Sequence, residues 1–158
     1  MLKPAPKPDP RAFTLIELVV VVVIVGILAA IAIPRLSRGT AGAGDSALSG
    51  NLGVLRKAID IYAMEHGGLY PTAANFATAM IQYTDSAGTI SATPTATAIY
   101  GPYLRSIPPL PVSTNKSNSG VAAADGAGVG WIYNAPTGTI NADATTEADV
   151  TGKLYNTY

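Results

Sequence analysis

An α+β protein, one long N-terminal helix followed by a small sheet-bearing head, is predicted by three observations. A nearly unbroken apolar run extends from Phe13 to Ile33. A second helical pattern follows, in which Leu48, Leu52, Leu55, Ile59 and Tyr62 recur at alternating spacings of four and three, with Arg56, Lys57 and Asp60 largely off that stripe. Beyond it the chain is punctuated by proline and glycine around short β-rich segments. The clearest are Gly130-Trp131-Ile132-Tyr133-Asn134 and Thr139-Ile140-Asn141-Ala142, joined through Pro136-Thr137-Gly138, where a hairpin turn wants such residues.

Residues 1–12 cannot join the helix. Pro4, Pro6, Pro8 and Pro10 alternate through them, removing amide donors and pushing the residues between toward extended geometry. Residues 13–34 come next. As a helix, Phe13 to Ile33 is about 31 Å long at ~1.5 Å per residue, close to the thickness of a bilayer's hydrocarbon core. Lys3, Lys7 and Arg11 precede it and Arg35 and Arg38 follow, a small excess that favours an N-terminus left in the cytoplasm and a head outside. A cleaved secretory signal would use Ala30-Ile31-Ala32 as its small-residue site, but the run is too long for one and carries Glu17. A plain single-span anchor meets the length and leaves that carboxylate unexplained, since a charge central in hydrocarbon costs about 2.5–3.5 kcal/mol and less near the interface.

Arg11-Ala12 followed by Phe13-Thr14-Leu15-Ile16-Glu17-Leu18, an apolar helix and Pro34 resembles the prepilin peptidase site of type IV pilins and type II secretion pseudopilins. The resemblance is strong from Arg11 to Leu36 and holds only in outline beyond. It implies cleavage between Ala12 and Phe13 and methylation of the new amine, with Ala12 standing where the family usually has glycine. It further implies a pilin-like fold and self-assembly into a filament. Phe13, Thr14 and Glu17 would serve assembly, Glu17 of one subunit meeting the cationic Phe13 amine of the next. A carboxylate inside an apolar bundle is tolerated when it meets a cation, so the pair would set the register between neighbours. A local pairing of Phe13 with Glu17, one helical turn apart, is the simpler alternative. Stripping some sixteen apolar side chains into water would cost at least about 24 kcal/mol, so the subunit is expected to pass from membrane lipid directly into the filament. Lipid is as apolar as a helical core, so an energy-coupled machine is implied, which the family supplies as a cytoplasmic ATPase and an inner-membrane platform protein. Minor pilins would be further partners.

Pro34 should kink the helix or interrupt its hydrogen bonds, and Gly26 weakens it earlier; by resemblance the segment between them is where a filament would stretch. Residues 35–66 form the second helical half. Gly39, Gly42, Gly44, Gly50 and Gly53 make its start weak, through either close approach to neighbours or a break near Asp45, a continuous weak helix being preferred. It should stop at His66-Gly67-Gly68, where glycine takes the left-handed closing conformation and the chain's single histidine suits a helix C-terminus.

Residues 67–158 form the head. Thr72 to about Tyr83 is expected as a helix capped by Thr72, Asp85 to Ala98 as a Thr/Ser/Ala-rich surface loop with weak strand character, and Tyr100 to Val112 as an extended path fixed by Pro102, Pro108, Pro109 and Pro111. That path resembles the loop leading into the sheet of major pseudopilins, with Pro109-Leu110-Pro111 in place of their acidic, tryptophan-containing motif. Lys153 to Tyr158 is a candidate last strand.

The chain has 158 residues, with Lys+Arg 10 against Asp+Glu 10, 13% charged residues and no cysteine. Zero net charge points away from nucleic acid, and the absence of cysteine excludes disulfides and thiolate metal sites. One histidine, no cysteine and no phosphate-cradling glycine loop leave little for an enzyme. Asp143, Glu147 and Asp149 offer hard oxygen ligands near the C-terminus, where the major pseudopilins hold calcium; lacking a glycine-turn loop, they are better read as an acidic solvated turn, and no cofactor is expected. Pilus and pseudopilus are not separated by the residues. A monomeric, membrane-anchored binding module outside the cytoplasm is the alternative function.

Overall fold

The computed structural model describes residues 13–158, with side-chain placement unassigned at 34–41. The leader, with Ala12 before the expected cut, lies outside the described residues. Two compact units are present, one ending at Gly39 and the other running from Thr40 to Tyr158.

Helix α1 is assigned as one element, Leu15–Glu65, passing through Gly26, Pro34 and the glycine-rich stretch. Close approach explains only part of that stretch. A Cβ on Gly44 would lie 3.1 Å from a Val112 methyl, whereas Gly42, Gly50 and Gly53 face open space. Helix α1 closes as its residues dictate: Gly67 and Gly68 take φ of 65° and 87°, and Gly68 N–H donates to Ala63 O at 2.7 Å, five residues back. His66 at this end is buried, its ring stacked on Tyr62 at 3.8 Å and its Nδ1 2.7 Å from Tyr62 O.

The stripe Leu48, Leu52, Leu55, Ile59 and Tyr62 is buried in the head. Its cover is a three-stranded sheet of β3 (Gly120–Ala122), β4 (Val129–Asn134) and β5 (Thr139–Ala142), in that spatial order. Strands β4 and β5 form the expected antiparallel hairpin, with Trp131 opposite Ala142 and Tyr133 opposite Ile140. Alternation along a strand sends these four to one face, where all are buried, while Ile132 and Asn141 take the other. Trp131 Nε1–H donates to Pro108 O at 2.8 Å and Asn51 Nδ2 to Pro109 O at 3.1 Å, so the proline path is pinned between sheet and helix.

Three expectations are corrected. The sheet is mixed, because β3 runs parallel to β4. A parallel pair normally needs a long crossover, but β3 is so short that residues 123–128 suffice for the return. The helix after Thr72 is α2, Phe76–Ile81 only, since residues 73–75 form a turn held by Asn75 N–H to Thr72 O at 3.1 Å. The C-terminal segment is a 3₁₀ turn, Tyr155–Thr157, rather than a strand, preceded by an isolated bridge between Ala148 and Leu154 and tied back by Tyr155 N–H to Glu147 O at 3.0 Å. β1 (Tyr83–Thr84), just before the expected loop, pairs antiparallel with β2 (Ile90–Ser91) inside it.

Gly130 is required by contact rather than by conformation. A Cβ there would lie 2.3 Å from the backbone O of Asn118, which cannot swing aside as a side chain could. Gly130→Ala is expected to lower the stability of the head by about 1–3 kcal/mol, read as an earlier urea midpoint with unchanged slope.

Candidate functional site

The N-terminal site is built by a sequence signal that periodicity does not reveal. Thr14 and Glu17 stand in the Thr-x-x-Glu spacing of a capping box. Thr14 N–H and Thr14 Oγ1–H both donate to Glu17 Oε2, at 2.8 and 2.7 Å, and Glu17 N–H donates back to Thr14 Oγ1 at 3.3 Å. The first-turn carboxylate also faces the positive end of the helix dipole. Glu17 is therefore not a bare anion in a single chain: its Oε2 starts α1, while Oε1 takes no hydrogen bond among the described residues. In the uncleaved chain, where Phe13 has no free amine, the local partner of Glu17 is Thr14.

Around this cap the surface is apolar. Phe13, Ile16, Val20 and Val21 line an open hollow of about 290 Å³ beside Glu17. From Leu15 to Ile33 the helix has a mean hydropathy of 3.2, and none of that span is buried within the chain. Phe13 is 81% exposed. Gly26 has nothing within 4 Å of where its Cβ would be. The unit thus presents a spanning-length apolar helix whose one charged group sits in its first turn.

The C-terminal carboxylates are not gathered around one point. Asp143 accepts from Asn115 Nδ2 at 3.0 Å, Glu147 Oε1 accepts from Thr114 N–H at 2.9 Å, and Asp149 is held by the Thr151 and Lys153 amides and the Tyr158 hydroxyl. Those donors keep Asp149 well below its ordinary pKa. Among the described residues no group of three or more His, Asp or Glu is placed to hold a metal ion. The trio read from the sequence does not fit a calcium cage; it is spent on tying loops to the head.

Asp143 behaves differently from its neighbours. Burial, and then the adjoining Asp125 carboxyl, push its pKa up to about 6. Below about pH 4 the carboxyl is protonated in both the folded and unfolded chains. As pH rises toward 6 the unfolded chain gives up the proton first, so stability falls through that window and stays lower above it. Asp143→Asn is expected to flatten this slope and raise stability at pH 7 by about 1–3 kcal/mol, measured by denaturant unfolding at pH 4 to 7.

A helix long and apolar enough to cross a membrane once, with a capped carboxylate at its start, followed by a small α+β head, fits the class of single-pass anchored proteins of pilin-like architecture. Residues 8–33 match the family model of the prokaryotic N-terminal methylation motif, so over that stretch the chain is similar to proteins that carry this motif. Neither the curated proteins nor the solved structures give a match to the chain.

Proposed function

We propose that the chain is a structural subunit that polymerises into a type IV filament, a pilus or secretion pseudopilus, after prepilin peptidase cuts between Ala12 and Phe13 and the new amine is methylated. The observation that carries this reading is the methylation motif over residues 8–33, continuous with an apolar span that is not buried among the described residues. A helix of that kind needs lipid at first and other helices afterwards. Glu17 then has two partners in succession: Thr14 through Oε2 within the chain, and the Phe13 ammonium of an adjoining subunit through Oε1 once the filament forms. Before assembly the chain sits once across the inner membrane with its N-terminus in the cytoplasm. An assembly ATPase, a platform protein and minor pilins supply the machinery, because transfer between two apolar surroundings has little drive of its own.

Mass spectrometry and N-terminal sequencing of the protein from its own cells test this directly. A chain beginning at N-methylated Phe13 and sedimenting as a polymer is the expected result. Material that begins at Met1 and stays solitary overturns the reading and returns the protein to a monomeric anchored module.

A further inference from the structure

The ring of His66 is used on one side only. Its Nδ1 lies 2.7 Å from Tyr62 O, and because a carbonyl can only accept, Nδ1 carries the hydrogen and Nε2 of the neutral ring is a lone pair. That lone pair is buried and has no partner among the described residues, in a side chain only 4% exposed. A buried acceptor without a donor is rare in folded proteins.

The idle edge borders a cavity. A hollow of about 220 Å³ is walled by Tyr62, His66 and Tyr70, by Asn75 ahead of α2, and by Ala87 and Gly88 in the turn between β1 and β2. With Nδ1 turned back onto α1, the Cδ2–Nε2 edge faces that turn: a Cβ on Gly88 would lie 4.0 Å from His66 Cδ2 and 2.8 Å from the Tyr62 hydroxyl. Gly88 also has a φ of 82°, so the turn comes this near only as glycine.

The surroundings all favour positive charge. Asp85, whose Oδ1 accepts from the Ala87 and Thr89 amides at 2.9 and 2.8 Å, is close enough for its charge to act on both Tyr62 and His66. The last turn of α1 carries Glu65 and no basic residue, the reverse of what the negative end of a helix favours. Neither lysine nor arginine lines the hollow among the described residues. An anion meets the wrong field here, and an apolar guest leaves the lone pair unmet. A metal ion finds one imidazole and, among the described residues, no group of three ligands. A primary ammonium answers both needs, with N–H donors for Nε2 and charge for Asp85.

We infer that the hollow at the end of α1 binds a primary alkylammonium group, one N–H of which donates to His66 Nε2 while Asp85 and the helix terminus meet its charge. The group is carried by a small free amine or by a lysine side chain.

The test uses the full chain in uncharged detergent micelles at about pH 8, where an ordinary imidazole is neutral. The chain has one histidine, so isotope-labelled histidine gives just two ring-nitrogen signals by NMR. Butylammonium is the probe for a free amine and Nα-acetyl-lysine methylamide for a lysine side chain. Either or both are expected to move the Nε2 signal saturably toward its hydrogen-bonded position, the tighter of the two naming the source. Tetramethylammonium, which has the charge and no N–H, should leave Nε2 in place. Asp85→Asn keeps an oxygen for the Ala87 and Thr89 amides and should weaken binding about tenfold. His66→Phe keeps a ring to stack on Tyr62, lacks the lone pair, and should lose the heat of binding in calorimetry. Three results overturn the inference: Nε2 unmoved by both probes, an equal shift with tetramethylammonium, and unchanged affinity in Asp85→Asn. Each leaves the filament reading standing, since that is judged by the N-terminus and by sedimentation.

Discussion

Glu17→Ala is expected to leave the chain in the membrane and to abolish filaments. Removing one member of a buried ion pair costs about 3–5 kcal/mol, more than a hundredfold in the equilibrium at each contact. Loss of the Thr14–Glu17 cap adds about 0.5–2 kcal/mol at the helix start, so alanine alone does not say which loss matters. Glu17→Gln separates them. Its amide oxygen still accepts from Thr14, while the charge is gone. Filaments should fail in both variants, counted by electron microscopy of sheared material against membrane-fraction blots for insertion. Normal filaments from Glu17→Gln would reduce Glu17 to a cap and sink the pairing between subunits.

The second large effect is in the head. Trp131 is fully buried under α1, and its indole N–H is satisfied by Pro108 O. Trp131→Ala removes the largest side chain of the core and leaves that carbonyl without its donor. A loss of about 3–5 kcal/mol is expected, a large share of what holds a domain of this size together. The check is thermal unfolding followed by circular dichroism; a midpoint within a few degrees of the native protein would show that the proline path and not the indole holds sheet to helix.

The helices and the hairpin were legible because their signals are periodic and local. The buried stripe from Leu48 to Tyr62 repeats at helical spacing, and β4 and β5 flank turn residues, with glycine taking a φ of 67° at Gly138. Strand β3 was not legible: Gly120, Val121 and Ala122 have no alternation to read, and their pairing depends on glycines at 120 and 130 that let backbones approach and on Gly128, which takes a φ of 78°. The C-terminal segment misled because tyrosine and threonine favour strands, whereas here Tyr155 and Tyr158 are placed by side-chain contacts to the head. At the N-terminus, Phe13 and Glu17 stood out by chemistry. The role of Thr14 as the partner of Glu17 was readable from the Thr-x-x-Glu spacing, but its capping geometry was hidden by the louder apolar run.

The groups that begin α1, Thr14 and Glu17, both lie downstream of the bond proposed for cleavage. A cut before Phe13 therefore changes what the chain end carries and not how the helix begins. Maturation on this plan is an electrical event rather than a refolding: the subunit reaches the peptidase with its helix start already in final form, and the enzyme only exposes a charge beside it.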